Sequence, residues 1–473
     1  MKDVVFGAIE DDRQRLTETC DALWETPELG LHERESSRTL IAVLEGEGFD
    51  VETGIGGMPT AFVAEYGSGE PVIGILGEYD ALPGLSQTVS AEREPVKPGG
   101  PGHGCGHNLF GTAGVWGAIG VKEAIDADEV TGTVRFYGCP AEETLVGKVF
   151  MARDGAFDDL DAAVTWHPSD LSRPQLGSSL ALDSLQFRFE GTAAHAGGSP
   201  ESGRSALDGV ELLNAGVERM REHVPEEARV HYSITDGGGA PNVVPPEAAG
   251  WYFVRAPDRD EVDRITAWVT DIAEAAAKMT QTDVECRYIT GCYDFLPNET
   301  VTEIVWQNMQ AVGPIEYDGE DRAFAADLRE TVEDDRLAAR FDDVPDEIEA
   351  AVGDAPLYGE PVAAYDEGDV SGGSTDVGDV SWIVPTAQFR AATWPIGAPG
   401  HGWQVVAANG DFAVKGAVFA AKVLGGTVAD LLADAETVER ANREFAAATA
   451  DDPYECPLPA DVEPPFDVTD ADG

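Results

Sequence analysis

Positive charge is scarce in this sequence. Its 473 residues hold 31 Lys and Arg against 88 Asp and Glu, a formal net charge of −57, and only 7 of the cations are lysines. Phosphate backbones are gripped by clusters of Lys and Arg, so nucleic acid is excluded as a partner. The acids are spread along the whole chain rather than gathered in one tail. Such a hydrated acidic surface suits high salt, where self-repulsion is screened, and a salt-loving cell is the expected source. Long apolar runs are also missing. No stretch approaches 18 consecutive apolar residues, so no membrane span is expected. The start, MKDVVFGAIEDDRQRL, lacks the apolar run and small-residue cleavage site of a secretory signal. Cysteine is sparse: Cys20, Cys105, Cys139, Cys286, Cys292 and Cys456 are too few for a disulfide framework in so long a chain. A reducing, cytoplasmic setting fits. No internal repeat is present.

What is there is enough to fold. At 43% hydrophobic residues the chain can bury sizeable cores, and its length suggests two or three domains. Helical spacing of apolar residues predicts helices over 11–28 and 35–47. PVIGILGEYD (71–80), GTVRFYGCPAEE (132–143) and DAAVTWHP (161–168) read as strands buried on both faces, with helices over 111–125 and 147–157 between them. That alternation predicts a mixed, mostly parallel sheet flanked by helices, an α/β catalytic-type domain. After about residue 182 the rhythm becomes strand, helix, strand, strand, helix, strand over 183–191, 204–222, 229–237, 248–257, 259–279 and 283–291. This is a ferredoxin-like α+β order, and 183–295 is expected to be an inserted domain between the two parts, 1–182 and 296–473, of the larger one. A strand over 381–390 and helices over 410–425 and 428–449 complete the reading. Residues 315–372 are acidic and weakly periodic, and are expected to form helices over the site entrance. The Pro-rich, acidic end is expected to be an extended arm and a frayed tail.

Chemistry-bearing residues fall at the predicted loop and strand ends. In GHGCGHN (102–108), Cys105 and His107 lie two apart in a Gly-rich loop, and would project to one side of an extended segment. Thiolate and imidazole suit Zn²⁺ and related divalent ions. In GCPAEE (138–143), Glu142 and Glu143 stand at the carboxyl end of a strand, where open α/β sheets place their sites. Adjacent residues point apart, so one can hold a metal while the other takes a proton from water. His167 in VTWHP and His401 in GAPGHGWQ repeat the pattern; with His103 and His107 they make four of only eight histidines. Glu78 and Asp80 share one side of the first strand's end, and Asp80 is placed to orient a ligand histidine. In the inserted domain, His195, Asn242 and Arg255 are further candidates, and an arginine on a sheet can clamp a carboxylate. A thiol amidase, with Cys105 as nucleophile and His107 or His103 as base, is the competing reading.

In combination and in order, GHGCGHN, CPAEE, TWHP, GTAAHAGGSP, APNVVP and PGHGWQ resemble the M20 family of metallopeptidases and amidohydrolases. The likeness runs from about residue 5 to 460, and GEYDALPGLSQ, STDVGDVSW and PYECPLP tie it to the amidohydrolase branch. The resemblance implies two divalent ions per subunit, Mn²⁺ or Zn²⁺, with Cys105, His107, Glu143, His167 and His401 as ligands. It implies Glu142 as general base and His195, from a lid domain that also dimerises, as the stabiliser of the oxyanion in the partner's site. Asn242 and Arg255 would hold the substrate, and Asp80 would stand behind the ligands. The implied reaction is hydrolysis of the amide bond of N-acyl amino acids or small dipeptides, p-aminobenzoyl-glutamate-like amides foremost. A homodimer is expected, with a heterodimer of related subunits or a partner-dependent subunit as the alternative. Many relatives open with His-x-Asp where this chain has Glu78-Tyr79-Asp80, which leaves the role of Glu78 open.

Overall fold

In an open α/β sheet the strand ends set where chemistry can occur. The computed structural model describes residues 1–468; the last five residues of the expected frayed tail lie outside them. The larger sheet has seven strands, in the order β1 (Asp50–Thr53), β2 (Phe62–Ser68), β4 (Gly132–Cys139), β3 (Val72–Glu78), β5 (Ala162–Ser169), β11 (Thr386–Ala392) and β6 (Arg173–Gln175). The central β4, β3, β5 and β11 are parallel to one another, and β1, β2 and β6 run antiparallel to their neighbours. The parallel strands are apolar runs buried on both faces, as βαβ packing requires. Glu78 ends β3, Cys139 ends β4, and His167 lies close to the carboxyl end of β5.

Two helices dominate the main core. His107–Asp126 is buried along almost its whole length and packs on Asp411–Ala433. Gly117 makes the close approach possible: a Cβ there would meet Leu424 at 3.0 Å. Asp411–Ala433 is long and apolar enough to cross a membrane by composition, yet 83% of its most apolar window is buried inside the protein.

The second sheet is antiparallel, in the order β10 (Asp283–Cys292), β7 (Ala181–Glu190), β9 (Glu247–Ala256), β8 (Arg229–Asp236). Helices Ala206–Met220 and Arg259–Thr280 cover one face and share a separate apolar core with it. The chain order is β-α-β-β-α-β, the ferredoxin-like arrangement read from the sequence.

Several expectations are corrected. β1, β2 and β6 had no counterpart in the sequence reading, because β1 is mostly exposed and β6 is only three residues long. The helix expected over 11–28 is Arg13–Glu25, and a further helix, Lys2–Asp11, precedes it. The late helix does not break at Gly425–Gly426. Those glycines allow contact with Val5, Gly117 and Asn308, and the break falls at Asp434, whose side chain caps the next helix, Ala435–Ala448. Residues 377–381 are helical, and the strand begins only after Pro385. The stretch 315–372 does hold helices, Gly319–Arg329, Asp334–Ala339 and Asp346–Val352, and Thr331, Glu333 and Arg336 share a cavity wall with His401.

The carboxyl-terminal arm is anchored. Leu458 is buried, Arg153 donates to the carbonyls of Pro459 and Val462, and the Tyr454 hydroxyl donates to Asp379 at 2.8 Å. Burial pushes Asp379 up to about 7, against the lowering effect of the Tyr454 hydroxyl. A carboxyl raised on folding adds stability that is complete below its unfolded value and is lost as pH climbs through about 7. The Asp379→Asn variant lacks that titration. Its stability relative to the parent is therefore expected to improve by about 1–3 kcal/mol between pH 4 and pH 7.5, read from urea denaturation at both pH values; an unchanged difference would contradict the assignment.

Candidate active site

Five segments bring the donor atoms together: the ends of β3, β4 and β5, the glycine-rich start of the helix at His107, and the loop of His401. At the end of β3, Glu78 and Asp80 are both buried. The helix that follows begins at His107 itself, not after the motif. Gly106 precedes it at φ 75°, a left-handed conformation, with Pro168 so near that a Cβ would lie 3.0 Å from it. The extended geometry expected for Cys105–His107 is thus replaced by a turn into a helix. At the end of β4, Ala141 and Leu145 both have positive φ, 55° and 58°, and between them Glu142 to Thr144 form a single helical turn. Glu33 holds this turn: its carboxylate accepts from the Ala141 N–H at 2.8 Å. His401 also has positive φ, 59°, and its N–H donates to Gly104 O at 2.9 Å, which ties the two glycine-flanked loops together. Non-glycine residues in this conformation carry a strain that functional sites commonly hold.

The hydrogen bonds determine which atoms face inward. His107 Nδ1–H donates to Asp80 Oδ1 at 2.7 Å, leaving the Nε2 lone pair free; Nε2 is buried and has no hydrogen-bond partner. It lies 3.3 Å from Glu78 Oε2, which is also buried without one. Asp80 Oδ2 accepts from the Glu143 N–H at 2.9 Å. His167 Nδ1–H donates to Pro168 O at 2.7 Å and turns Nε2 toward Cys105 Sγ, 3.4 Å away. His401 Nε2 stands 3.3 Å from Glu143 Oε2, and Glu143 Oε1 is buried and unpaired. Donor atoms of Cys105, His107 and His167, of Cys105, Glu143 and His401, and of Glu78, His107 and Glu142 form three groups, each within 4.8 Å. Imidazoles oriented by carboxylate or carbonyl, with acceptor atoms facing one another, fit divalent ions. A further carboxylate group, Asp318, Asp321 and Asp411, is bridged by Lys415, which pairs with all three.

Electrostatics here is dominated by crowded carboxylates. Burial, then Glu78 and Asp376, push Glu142 well above the usual carboxylate range. Burial and nearby Asp80 also raise Glu143, against the pull of His107. For Asp80, burial is outweighed by the His107 imidazole and the bonds to its oxygens, and its carboxyl stays low. Burial and the Glu143 carboxylate push the Cys105 thiol up to about 12. Its Sγ faces the His167 ring, and a thiol raised so far is the opposite of an activated nucleophile. His103 Nε2–H donates to Leu23 O at 3.1 Å, and His103 belongs to none of the three donor groups.

The donors open onto a cavity of about 290 Å³ lined by Cys105, Glu142, Glu143, His167 and His401 together with Arg255, Ser374, Gln388 and Arg390. Arg255 is therefore brought to the site. His195 and Asn242 are not among the residues that line it. They lie side by side in the smaller sheet's domain, where Ala196 N–H donates to Asn242 O. His195 Nδ1 accepts from the N–H groups of Gly197 and Gly198, both at 3.1 Å, which places the ring proton on Nε2. Glu78, whose role the sequence left open, joins one of the donor groups, whereas Lys148, Asp376 and Arg390 were missed. Lys148 is wholly buried and bridges Glu78 Oε1 (2.6 Å) and Asp376 Oδ1 (2.7 Å).

A parallel sheet with oxygen, nitrogen and sulfur donors converging at its strand ends, plus an added ferredoxin-like domain, defines a metal-dependent amidohydrolase of the M20 peptidase family, and the chain belongs to that family. Residues 181–281 match the peptidase dimerisation domain. The whole chain is similar to a p-aminobenzoyl-glutamate hydrolase subunit of Escherichia coli (strain K12), 42% identical over 97% of this chain and 98% of that one. Xaa-Arg dipeptidase of Mus musculus is 31% identical over 66% of this chain and 72% of its own. Among solved structures, an aminobenzoyl-glutamate utilization protein from Klebsiella pneumoniae shares the fold (TM-score 0.59, 17% identity, 88% of this chain and 96% of that one). So does a dinuclear metal binding M20 peptidase of Bacillus subtilis (TM-score 0.52, 18% identity, 88% and 98%).

Removing the Lys148 charge would leave Glu78 and Asp376 buried without their cation. Lys148→Met is expected to lower stability by about 3–5 kcal/mol in urea denaturation, the scale for breaking a buried pair; a loss under about 1 kcal/mol would show that the ion pair is dispensable.

Proposed function

We propose that this amidohydrolase cleaves N-acyl amino acids of the p-aminobenzoyl-glutamate type. The observation that carries this reading is the set of buried acceptors without hydrogen-bond donors, His107 Nε2, Glu78 Oε2 and Glu143 Oε1, at one group of strand ends. The E. coli relative adds the substrate type. Cys105, His107, Glu143, His167 and His401 would hold two divalent ions, Zn²⁺ or Mn²⁺, which when bound acidify a water and polarise the amide carbonyl. Glu142, in the turn after β4, takes the water's proton and passes it to the leaving amine. Asp80 fixes both the His107 ring and the Glu143 backbone, so one carboxylate sets the positions of two donors. Arg255 reads a carboxylate of the substrate, and Asn242 braces the His195 loop. His195, with its proton held on Nε2, donates to the developing oxyanion of a neighbouring subunit's substrate.

That His195 is not among the residues lining its own donor cavity supports a dimer completed across subunits. Two different E. coli relatives, both named as subunits of one hydrolase, support a related second chain as the alternative partner. The six cysteines, all free, are in keeping with a reducing cytoplasm, and the acidic composition with high salt.

Metal content and product analysis on a panel of N-acyl amino acids in high salt test the reading. Glu142→Gln is expected to keep its metal and lose about 10²–10⁴-fold in kcat. Full activity of that variant, or of chelator-stripped protein, would overturn the mechanism. Mixing inactive Glu142→Gln and His195→Ala proteins is expected to restore activity; no recovery in a mixed dimer would show that His195 serves its own subunit's site, and a fully active His195→Ala protein would place it outside the reaction.

A further inference from the structure

Arg390 was not singled out by any motif. It lies on β11, where the parallel register sets it beside His167 of β5, on the same face of the sheet. Its side chain lines the donor cavity of about 290 Å³ and also an adjoining cavity of about 470 Å³. Gln175 and Ser371 line both as well, so the two spaces share this wall. Two other arginines on the second cavity already have carboxylates: Arg173 meets Asp366 and Arg340 meets Asp170, each at 2.5 Å. Arg390 has no such ion pair among the described residues, and its Nε is buried without a hydrogen bond. In a chain with 88 acidic residues, an inward cation left without one is an anion site waiting for its ligand. Burial pushes its guanidinium down to about 10, so it remains a cation at neutral pH. Arg255 lines the same donor cavity, also with a buried Nε that makes no hydrogen bond, and its guanidinium reaches only Ser374 Oγ, at 3.4 Å.

We propose that Arg390 is a specificity-determining residue which, from the wall shared by the two cavities, binds a second substrate carboxylate beyond the one read by Arg255, so that the enzyme selects amides of a dicarboxylic amino acid. The inference rests on the amidohydrolase reading and deepens it. A guanidinium presents paired N–H groups to a carboxylate, whereas a neutral substrate side chain in the same place leaves the buried cation unpaired. Selection by such a group is strong because the wrong substrate strands the charge.

The test compares kcat and KM for p-aminobenzoyl-glutamate, p-aminobenzoyl-glutamine and p-aminobenzoyl-alanine in the wild type, Arg390→Gln and Arg390→Lys, with metal content measured in each. The wild type is expected to prefer the glutamate amide by at least about 100-fold in kcat/KM. In Arg390→Gln that preference is expected to fall by about 30-fold or more, carried by KM, with Arg390→Lys in between. An unselective wild type, or equal losses on all three amides, would overturn the proposal, the second result marking Arg390 as a structural support of His167. Calorimetric titration of the full chain with glutarate supplies a readout without turnover: Arg390→Gln is expected to bind it at least about 10-fold more weakly than the wild type. Equal binding, or no binding to the wild type, would overturn the proposal. If no acyl amino acid is cleaved at all, the amidohydrolase reading fails, and the glutarate titration still decides the fate of Arg390.

Discussion

The confinement of Glu78, Asp80, Glu142 and Glu143 at the ends of two neighbouring parallel strands governs this molecule. Four carboxylates so close and so little exposed repel one another, and each loses hydration on burial. The fold answers part of that charge with Lys148, which spans Glu78 and Asp376, and part with hydrogen bonds, as Asp80 accepts from His107 and from the Glu143 backbone. What remains are acceptors without donors. A cation is the ligand that turns this repulsion into attraction. In the proposed ligand set Glu142, raised by burial and by its neighbours, stands apart from the five ligands and is assigned to proton transfer.

The same constraint explains the backbone. Adjacent acids can face different partners only if the chain turns sharply after β4, and it does so through the left-handed Ala141 and Leu145. Glu33, from the loop before the helix Arg34–Gly46, reaches across to pin that turn. Local strain at Ala141, Leu145 and His401 is thus borne by a network reaching into the first helices, and the site is held in place because its supports lie in the core.

Much of this was legible in the sequence because strand periodicity and loop chemistry coincide. Buried apolar runs leading to Glu78, Glu143 and His167 pointed to the parallel sheet and its active edge at once, and the inserted domain's alternating strands revealed its order nearly residue for residue. The edge strands β1 and β6 were invisible because the four-residue β1 is mostly exposed and the three-residue β6 is too short to show apolar alternation. Lys148 and Arg390 were missed for a different reason. A charge inside an apolar segment reads as an irregularity until the fold shows what it faces, although a lysine in GKVFMAR, one of only seven in the chain, was a signal. The helix break expected after Gly425 failed on glycine itself: Gly425 and Gly426 look like a stop in one dimension and act as a close contact in three.

Charge scarcity and site design are then connected. With 31 cations against 88 acids, nearly any exposed Lys or Arg finds a carboxylate within reach, so pairing carries little information. The informative cations are those screened from the acidic surface. Lys148 is held by two acids and serves structure; Arg255 and Arg390 line the cavity with no ion-paired carboxylate among the described residues. An acidic protein that must bind an acidic substrate faces repulsion at long range, which high salt screens, and must recover attraction at contact. Guanidinium groups set in the cavity wall supply that attraction at contact, because their field is strongest where water is excluded.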